Sequence, residues 1–152
     1  MKKKAYGKIN LSLHVYEKRE DGYHNIESLI TLIDIYDKMK FKKALETKVF
    51  VKKAKIKNNI VNKTIELIRK KYNLKESIEV KIEKRIPIGA GLGGGSSNAA
   101  ATINAMDELY DLKMTSVDKK LLAEQLGMDV AFFLKNDTCL VRIRGEVATP
   151  TI

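Results

Sequence analysis

I-P-I-G-A-G-L-G-G-G-S-S-N-A-A-A, residues 86–101, is the stretch that decides how the chain folds. Its five glycines, at positions 89, 91, 93, 94 and 95, allow positive φ and remove the Cβ atoms that would keep a bulky anion at a distance. Ser96, Ser97 and Asn98 are residue types that favour a helix N-cap, and the alanine-rich run after them favours helix. Such a helix would point its unpaired N–H groups and the positive end of its dipole at the glycines. The stretch therefore predicts a loop that binds phosphate.

Two well-known phosphate-binding patterns fit this loop poorly. A Walker A loop, G-x-x-x-x-G-K-[ST], requires a lysine where the chain has Gly95. Glycines 89, 91 and 94 satisfy the dinucleotide-binding pattern G-x-G-x-x-G, but the preceding segment 77–84 alternates apolar and polar residues, and Asp111 follows a helix instead of ending a strand. A glycine-rich turn without a ligand is the third interpretation. The conformational entropy lost in ordering so many glycines argues against it.

The charge balance favours acidic partners. The chain has 29 Lys and Arg against 19 Asp and Glu, a formal net charge of +10, which suits phosphates, nucleic acid or an anionic membrane. The lysine runs are interpreted mainly as solvated faces, because no aromatic interleaving or nucleic-acid motif accompanies them. At 152 residues the chain fits one domain, and its single cysteine, Cys139, excludes an internal disulfide. No apolar run long enough to span a membrane and no secretory signal is present, so we expect a cytoplasmic protein.

The order of the periodic segments predicts an α+β fold. Alternating or apolar segments predict strands over 5–16, 25–41, 47–51, 78–85 and 138–143. Helical spacing predicts helices from 58 or 59 to about 72, from 97 to 110 and from 116 to 126, the last closed by Gly127. Strands come first and are then mixed with helices, which favours an antiparallel or mixed sheet over a doubly wound one. The Asp21-Gly22 turn presents Tyr23 and His24, an aromatic ring and an imidazole that could clamp a base.

An acid and an amine form the candidate reactive pair. Asp129 follows a helix stop in G-M-D-V-A-F-F-L, where apolar neighbours make an unpaired acid costly. Lys8, on the polar face of the first strand, is one candidate for its partner, and such a pair would keep the acid ionised and able to act as a base. The residues alone leave the alternatives open, because an acid at a turn often serves only as a hydrogen-bonding cap and a strand lysine often only faces solvent.

The motifs along the chain resemble those of the GHMP kinase family. In order they are G-K-I-N-L-S-L-H-V, D-G-Y-H, N-N-I-V, K-R-I-P-I-G-A-G-L-G-G-G-S-S-N-A-A, G-M-D-V-A-F-F and R-G-E, and they run along nearly the whole chain. The glycine segment specifies the superfamily, and D-G-Y-H with G-x-D-V-x-F-F points to the member that phosphorylates a cytidyl-linked sugar alcohol. The resemblance implies a ribosomal-S5-like α+β domain, with a mixed or antiparallel sheet packed against helices.

The resemblance also implies catalytic and acceptor-binding residues. In an ATP-dependent transfer to an erythritol hydroxyl, on the non-mevalonate route to isoprenoid precursors, Asp129 would be the base and Lys8 its charge partner. Asn10 would make a polar contact near the acceptor. Tyr23 and His24 would stack on the cytosine ring and form hydrogen bonds with it.

The implied cofactors are ATP and Mg²⁺. Asn59 and Lys84 would lie where the adenine is held. The ATP phosphates would lie on the loop made by Pro87, Ile88, Gly89, Ala90, Gly91, Leu92, Gly93, Gly94, Gly95, Ser96 and Ser97. The expected partners are therefore small molecules, with no membrane, and nucleic acid is disfavoured.

The chain departs from the family pattern in two ways. Gly7 stands where the family usually has alanine, and Met128 and Ala131 replace the usual alanine and proline around the aspartate, which loosens the turn that aims Asp129. The family also has a second, C-terminal domain, so we expect residues 1–152 to form the N-terminal ATP-binding domain alone, as a fragment with weak nucleotide binding and slow turnover. Two other functions remain open: a nucleic-acid-binding module of S5-like fold, and another small-molecule GHMP kinase.

Overall fold

The computed structural model describes residues 1–18, 20, 24–52, 59–135, 139–142 and 147–150. The strands are β1 (Lys2–Lys18), β2 (His24–Ala44), β3 (Lys48–Lys52), β4 (Ser77–Glu83), β5 (Cys139–Arg142) and β6 (Val147–Pro150). The helices are α1 (Asn59–Lys71), α2 (Gly94–Leu109), α3 (Ser116–Leu126) and α4 (Val130–Lys135). None of the helices in this described part of the chain is long and apolar enough to cross a membrane.

The strands form one mixed sheet around β2. Strand β1 pairs antiparallel with β2 from one end to the other, from Lys2 opposite Lys40 to Lys18 opposite His24. The second edge of β2 pairs antiparallel with β4 over residues 38–44 and with β5 over residues 27–30. Strand β3 runs parallel to β4, and β6 pairs antiparallel with β5. The predicted α+β fold with a mixed sheet is confirmed.

Helices cover one face of this sheet. Alternation along the strands sends one set of side chains into the core, where Met39 and Phe41 of β2 and Val80 and Ile82 of β4 are at most 1% exposed. They pack in one cluster with apolar side chains of α1, α2 and α4. Full burial of one such side chain stabilises the fold by roughly 1.5–3 kcal/mol. This packing fixes the end of β4 and the start of α2, which are the two ends of the glycine-rich segment.

The opposite face of the sheet is rich in lysine. Partners across neighbouring strands share a face, so Lys2, Lys40 and Lys81 form one row across β1, β2 and β4. The lysine face, as it is named below, consists of Lys2, Lys4, Lys38, Lys40, Lys42, Lys48, Lys52 and Lys81, together with Glu79 and Glu83. A depression of about 840 Å³ on this face is lined by residues of β1 to β4 and lies away from the glycine-rich segment.

Most predicted elements are confirmed, one helix boundary differs, and α4 and β6 were not predicted. Helix α1 begins within the predicted range, and α3 ends at its C-cap Gly127, whose N–H donates to the Ala123 carbonyl at 3.1 Å. Helix α2 begins at Gly94 instead of residue 97, and residues 130–135 form α4, where the sequence indicated only a short apolar segment. The Asp21-Gly22 turn lies outside the described residues.

Candidate active site

The glycine loop, residues 84–93, joins β4 to α2 and lies largely at the surface. Gly89, Gly91 and Gly93 have φ values of 73°, 74° and 72°, whereas Ala90 and Leu92 between them do not have positive φ. Alternating residues of this kind turn successive backbone N–H groups toward one point, forming a nest that binds anions. A Cβ built on Gly91 meets nothing within 4 Å, so the left-handed backbone, not crowding, requires glycine there. The loop therefore has the shape of a phosphate site.

Helix α2 begins inside the run of glycines. Its N-cap is Gly93, which offers no side-chain cap, and the Ser97 N–H donates to the Gly93 carbonyl at 2.9 Å. The expectation that Ser96, Ser97 or Asn98 caps the helix is wrong, because the left-handed turn at Gly93 starts it earlier and glycine at the N-cap costs only a few tenths of a kcal/mol relative to serine. The N–H groups of residues 94–96 have no partner within the helix and open toward the loop. They add donors and the helix dipole to the nest.

Gly93 is the point where three elements meet. A Cβ built on Gly93 would lie 2.8 Å from Cζ of Phe133 in α4 and 3.1 Å from Cγ of Lys8 in β1. Neither neighbour leaves room for a side chain. The bare Cα of Gly93 thus lets β1 and α4 pack directly on the end of the loop.

Lys8 is joined to the loop by its backbone as well as its side chain. The Lys8 N–H donates to the Leu92 carbonyl at 2.9 Å. The pairing of β1 with β2 shifts register between Tyr6 and Lys8, and such irregularities re-aim side chains beside functional sites. Lys8 is only 6% exposed, with its aliphatic stem beside Gly93. The predicted catalytic lysine is therefore a buried part of the loop's wall.

Asp129 lies in the turn between α3 and α4. Its carbonyl accepts the Phe133 N–H at 3.4 Å, so it stands one turn before Phe133 on the same helix face. Because the Phe133 ring and the Lys8 stem both pack on Gly93, the helix that follows Asp129 and the strand that carries Lys8 meet at the same end of the loop. Within the described residues, no salt bridge of 4.0 Å or less joins their charged groups. Their direct pairing stays a prediction.

Lys84, predicted to lie where the adenine is held, belongs to a buried charge cluster. Its ammonium donates to the Asp37 carboxylate at 2.5 Å and to the Asn98 side-chain carbonyl at 3.2 Å. Asp37 is fully buried and was missed by the sequence reasoning. Its position carried a signal, because residues 37, 39 and 41 of β2 share a face and Asp37 is therefore aligned with the buried Met39 and Phe41. An acid in such a row requires partners.

The structure describes only part of the residues predicted to bind the acceptor. Asn10 is exposed and lies on the same face of β1 as Lys8, two residues further along. His24 is the first residue of β2, but its side chain and the whole of Tyr23 lie outside the described residues.

The predicted adenine side of the site lies at the start of α1. Asn59 is the first residue of α1, and its side chain is outside the described set. Its neighbour Ile60 lies 3.8 Å from a Cβ built on Gly95, so the first turns of α1 and α2 are adjacent. Pro87 and Ile88 are exposed at the start of the loop. Asn59 therefore stands next to the N-terminal end of α2.

The sequence profile of the GHMP kinases N terminal domain matches residues 59–136, half of the chain. The matched residues include α1, the glycine loop, α2 and the turn that carries Asp129. The chain therefore belongs to the GHMP kinase family.

The chain is also similar to individual proteins of this family that carry more specific names. The chain is 45% identical over 150 residues to the 4-diphosphocytidyl-2-C-methyl-D-erythritol kinase of Thermoanaerobacter pseudethanolicus, covering 97% of this chain and 52% of that protein. It is 38% identical over 151 residues to the protein of the same name from Clostridioides difficile, covering 96% of this chain and 51% of that protein. The chain spans about half the length of the curated relatives it matches.

Solved structures agree with the fold. A crystal structure of 4-(cytidine 5'-diphospho)-2C-methyl-D-erythritol kinase matches with a TM-score of 0.86 and 32% identity, covering 99% of this chain and 55% of that one. The mevalonate kinase of Methanococcus jannaschii matches with a TM-score of 0.72 and 16% identity, covering 100% of this chain and 56% of that one. The second likeness is one of fold alone.

Proposed function

We propose that this chain is the ATP-binding, N-terminal half of a kinase that transfers the γ-phosphoryl group of ATP to the erythritol hydroxyl of 4-diphosphocytidyl-2-C-methyl-D-erythritol, in isoprenoid precursor biosynthesis. The observation that carries the proposal is the glycine loop, in which alternate glycines are left-handed and lead directly into the first turn of α2. The acceptor is proposed from the relatives of that name, which match nearly the whole chain. Both substrates are charged small molecules, and we propose that the protein acts in the cytoplasm.

The phosphates of ATP would bind to backbone groups. The nest at residues 89–93 and the open N–H groups of residues 94–96 supply donors, and the α2 dipole favours negative charge. The described residues include no group of three or more Asp, Glu, His or Cys side chains that could hold a metal ion. Mg²⁺ would therefore come with the nucleotide, where it would supply positive charge that neutralises the transferred group.

Asp129 and Lys8 would carry the proton chemistry. In this proposal the Asp129 carboxylate accepts the proton of the attacking hydroxyl, and the Lys8 ammonium is its charge partner. The shared packing of Lys8 and Phe133 on Gly93 supports the assignment, because it brings both segments to the end of the loop. A positioned general base of this kind contributes roughly 10²–10⁴-fold to the rate.

The remaining predicted residues would orient the two substrates. Asn10 would contact the acceptor on the Lys8 side of β1, while Tyr23 and His24 would hold the cytosine ring. Asn59 would meet the adenine from the start of α1. The Lys84 ammonium has three N–H donors, of which Asp37 and Asn98 take two, so one remains for the adenine.

Thermal unfolding with added ligands tests the proposal on the chain as it stands. A ligand that binds only the folded state at tenfold above its Kd stabilises it by about 1.4 kcal/mol. We therefore expect saturating Mg-ATP to raise the Tm by roughly 3–6 °C, and the cytidyl substrate to add a further rise. CTP and inorganic phosphate serve as controls for base and charge.

Three outcomes would contradict the proposal. A Tm unchanged by Mg-ATP would mean that the glycine loop does not bind the nucleotide. Stabilisation by another alcohol substrate, with none by cytidine compounds, would favour a different GHMP kinase. Stabilisation by single-stranded RNA alone, lost steeply as salt is raised, would favour nucleic-acid binding through the lysine face.

A further inference from the structure

A single buried carboxylate lies beneath the glycine loop. Asp37 of β2 is 0% exposed, and both of its oxygen atoms are fully engaged. Oδ1 accepts the backbone N–H groups of Arg85 at 2.7 Å and Ile86 at 2.9 Å. Oδ2 accepts the Lys84 ammonium at 2.5 Å and the Asn98 side-chain amide at 3.0 Å. None of the residues proposed above to touch the acceptor is among these four donors.

The four donors come from the two ends of the loop. Residues 84–86 begin it, and Asn98 lies in α2, five residues after Gly93, the last residue of the loop. The Lys84 ammonium also donates to the Asn98 side-chain oxygen Oδ1 at 3.2 Å, which closes a ring of three side chains. Asp37 therefore joins the start and the end of the phosphate-binding segment to the middle of the sheet.

Stability alone does not account for this cluster. Removing a carboxylate and an ammonium from water costs several kcal/mol each, and a buried ion pair often stabilises a fold no better than apolar side chains of the same size would. Asp37 aligns with Met39 and Phe41, so an apolar residue would suit its position in the core. What the carboxylate adds is a fixed direction for two backbone N–H groups and two side chains.

We propose that Asp37 is a positioning residue for the phosphate loop, holding its two ends at a fixed separation so that the nest exists before ATP arrives. This inference rests on the proposed function, because it takes ATP phosphate as the loop's ligand. The exposed, glycine-rich residues between the two anchors would otherwise be ordered only on binding, at the expense of affinity. Asp37 would act through the loop and not on substrate.

The Asp37→Asn variant tests this role. Asparagine keeps the shape and one acceptor oxygen. The NH₂ group that replaces Oδ2 cannot accept the hydrogen bonds from Lys84 and Asn98. We expect the Kd for Mg-ATP to rise by about tenfold or more, the amides of residues 86–97 to exchange with solvent faster, and the KM for ATP to rise while the KM for the acceptor stays constant. If Asp37 had a purely structural role, the variant would lose stability without a selective rise in the Kd and KM for ATP or in amide exchange within the loop.

Tyr110→Phe is the matched control. The Tyr110 hydroxyl donates to the Ser77 carbonyl at 3.0 Å and so joins the same two elements, β4 and α2, at the ends remote from the loop. We expect Tyr110→Phe to lower the free energy of unfolding with little change in the Kd for Mg-ATP or in exchange within residues 86–97. Should Asp37→Asn fail to fold, Asp37→Asn/Lys84→Gln compared with Lys84→Gln gives the same measurement without an unpaired buried ammonium.

The outcomes separate this inference from the proposed function. If wild-type protein binds Mg-ATP and Asp37→Asn binds it equally well with unchanged loop exchange, the positioning role is refuted and the kinase proposal stands. If wild-type protein does not bind Mg-ATP, the proposed function fails. Hydrogen exchange then still measures whether Asp37 orders the loop, and unchanged exchange refutes that too.

Discussion

Gly93 shows how one Cα can determine a site. A side chain there would enter the Phe133 ring, approach the Lys8 stem and have to adopt a φ of 72°. Gly89 shares the left-handed φ, but a Cβ on it meets nothing within 4 Å. The two residues therefore separate the effect of crowding from that of backbone strain.

We predict that Gly93→Ala destabilises the fold more than Gly89→Ala. Both variants carry the left-handed strain of roughly 1–2 kcal/mol, and Gly93→Ala adds an overpacking cost of about 1–3 kcal/mol. Urea unfolding of the two variants measures the difference. Equal free energies of unfolding would mean that Phe133 and Lys8 move aside freely and that Gly93 is not a packing point.

The proposed base makes a second residue-level prediction. Asp129→Asn removes proton acceptance without changing shape, so we expect single-turnover transfer from γ-labelled ATP to fall by about 10²-fold or more, with the Kd for Mg-ATP nearly unchanged. Asp111→Asn, at an exposed acid after α2, is the control and should retain the rate. Transfer that persists in Asp129→Asn assigns the base to another residue.

The sequence predicted the site residues whose role follows from neighbouring residues in the chain. It did not predict those whose role depends on tertiary packing. The glycines were predicted as an anion site because their composition alone permits the nest. From the residues alone Lys8 was only one candidate partner for Asp129, and the family resemblance favoured the pair, since the packing of Lys8 and Phe133 on Gly93 is known only from the structure. Asp37 escaped because its partners, at residues 84–86 and 98, are distant in sequence.

Helix α3 begins at a capping box whose two residues are three positions apart in the sequence. Thr115 is its N-cap, and the Thr115 hydroxyl accepts the Asp118 N–H at 3.1 Å while the Asp118 carboxylate accepts the Thr115 N–H at 2.9 Å. The backbone N–H of Thr115, then its hydroxyl, lower the pKa of Asp118 below its usual 3.8. This capping box gives α3 a pH-dependent start.

We predict that Asp118→Asn lowers stability near neutral pH and has less effect in acid. Because the folded pKa is lowered, the ionised carboxylate stabilises α3 fully above the unfolded value of 3.8, and this stabilisation is lost as the pH falls below it. Urea midpoints of wild type and variant, measured at pH 7 and at successively lower pH, should therefore converge. Glu124→Gln, at an exposed acid of the same helix, provides the comparison. A gap that stays constant into acid would rule out the ionised cap.

The predicted element boundaries were wrong where tertiary contacts determine them. Helix α2 starts at Gly94 because Gly93 is fixed by Phe133 and Lys8, which a ranking of N-cap residues does not include. Helix α4 has six residues, too few to be stable alone, and depends on burial of Val130, Phe132 and Phe133. Helix α1 and strands β3 and β4, with strong periodicity of their own, were predicted to within a few residues.

Charge is distributed unevenly over the whole molecule. The formal net charge is +10, and the lysine face gathers eight lysines against two glutamates. Lys40 has Lys2 and Lys81 as its cross-strand neighbours. Like charges directly opposite one another destabilise a sheet, so repulsion across this face opposes folding.

We predict that added NaCl stabilises the protein and that Lys40→Glu reduces this response. Salt screens exposed charges, with a Debye length of about 10 Å at 0.1 M. Lys40→Glu replaces two repulsive pairs by attractive ones, each contributing roughly 0.2–1 kcal/mol. Thermal unfolding between low and moderate salt measures both effects, and Lys113→Glu, on an exposed loop, controls for net charge alone. A larger salt response in Lys40→Glu would contradict the prediction.

The arrangement of the strands was beyond the reach of periodicity. The α+β class could be predicted because strands precede helices, yet β2 pairs with β1 on one edge and with both β4 and β5 on the other. The pairings of β2 with β4 and β5 join segments far apart in the chain, and local sequence patterns do not specify them. The family resemblance provided the fold that periodicity could not.

The loop's glycines also have a consequence for chirality. Their φ values, 72° to 74°, mirror those that ordinary residues prefer, and a D-amino acid adopts such values as easily as an L-amino acid adopts the opposite ones. D-alanine installed at Gly91 by chemical ligation would therefore suit the turn and narrow the freedom of the unfolded loop, whereas L-alanine would distort it. Tighter ATP binding by the D-alanine protein would show that the left-handed backbone conformation of the loop determines its affinity for ATP.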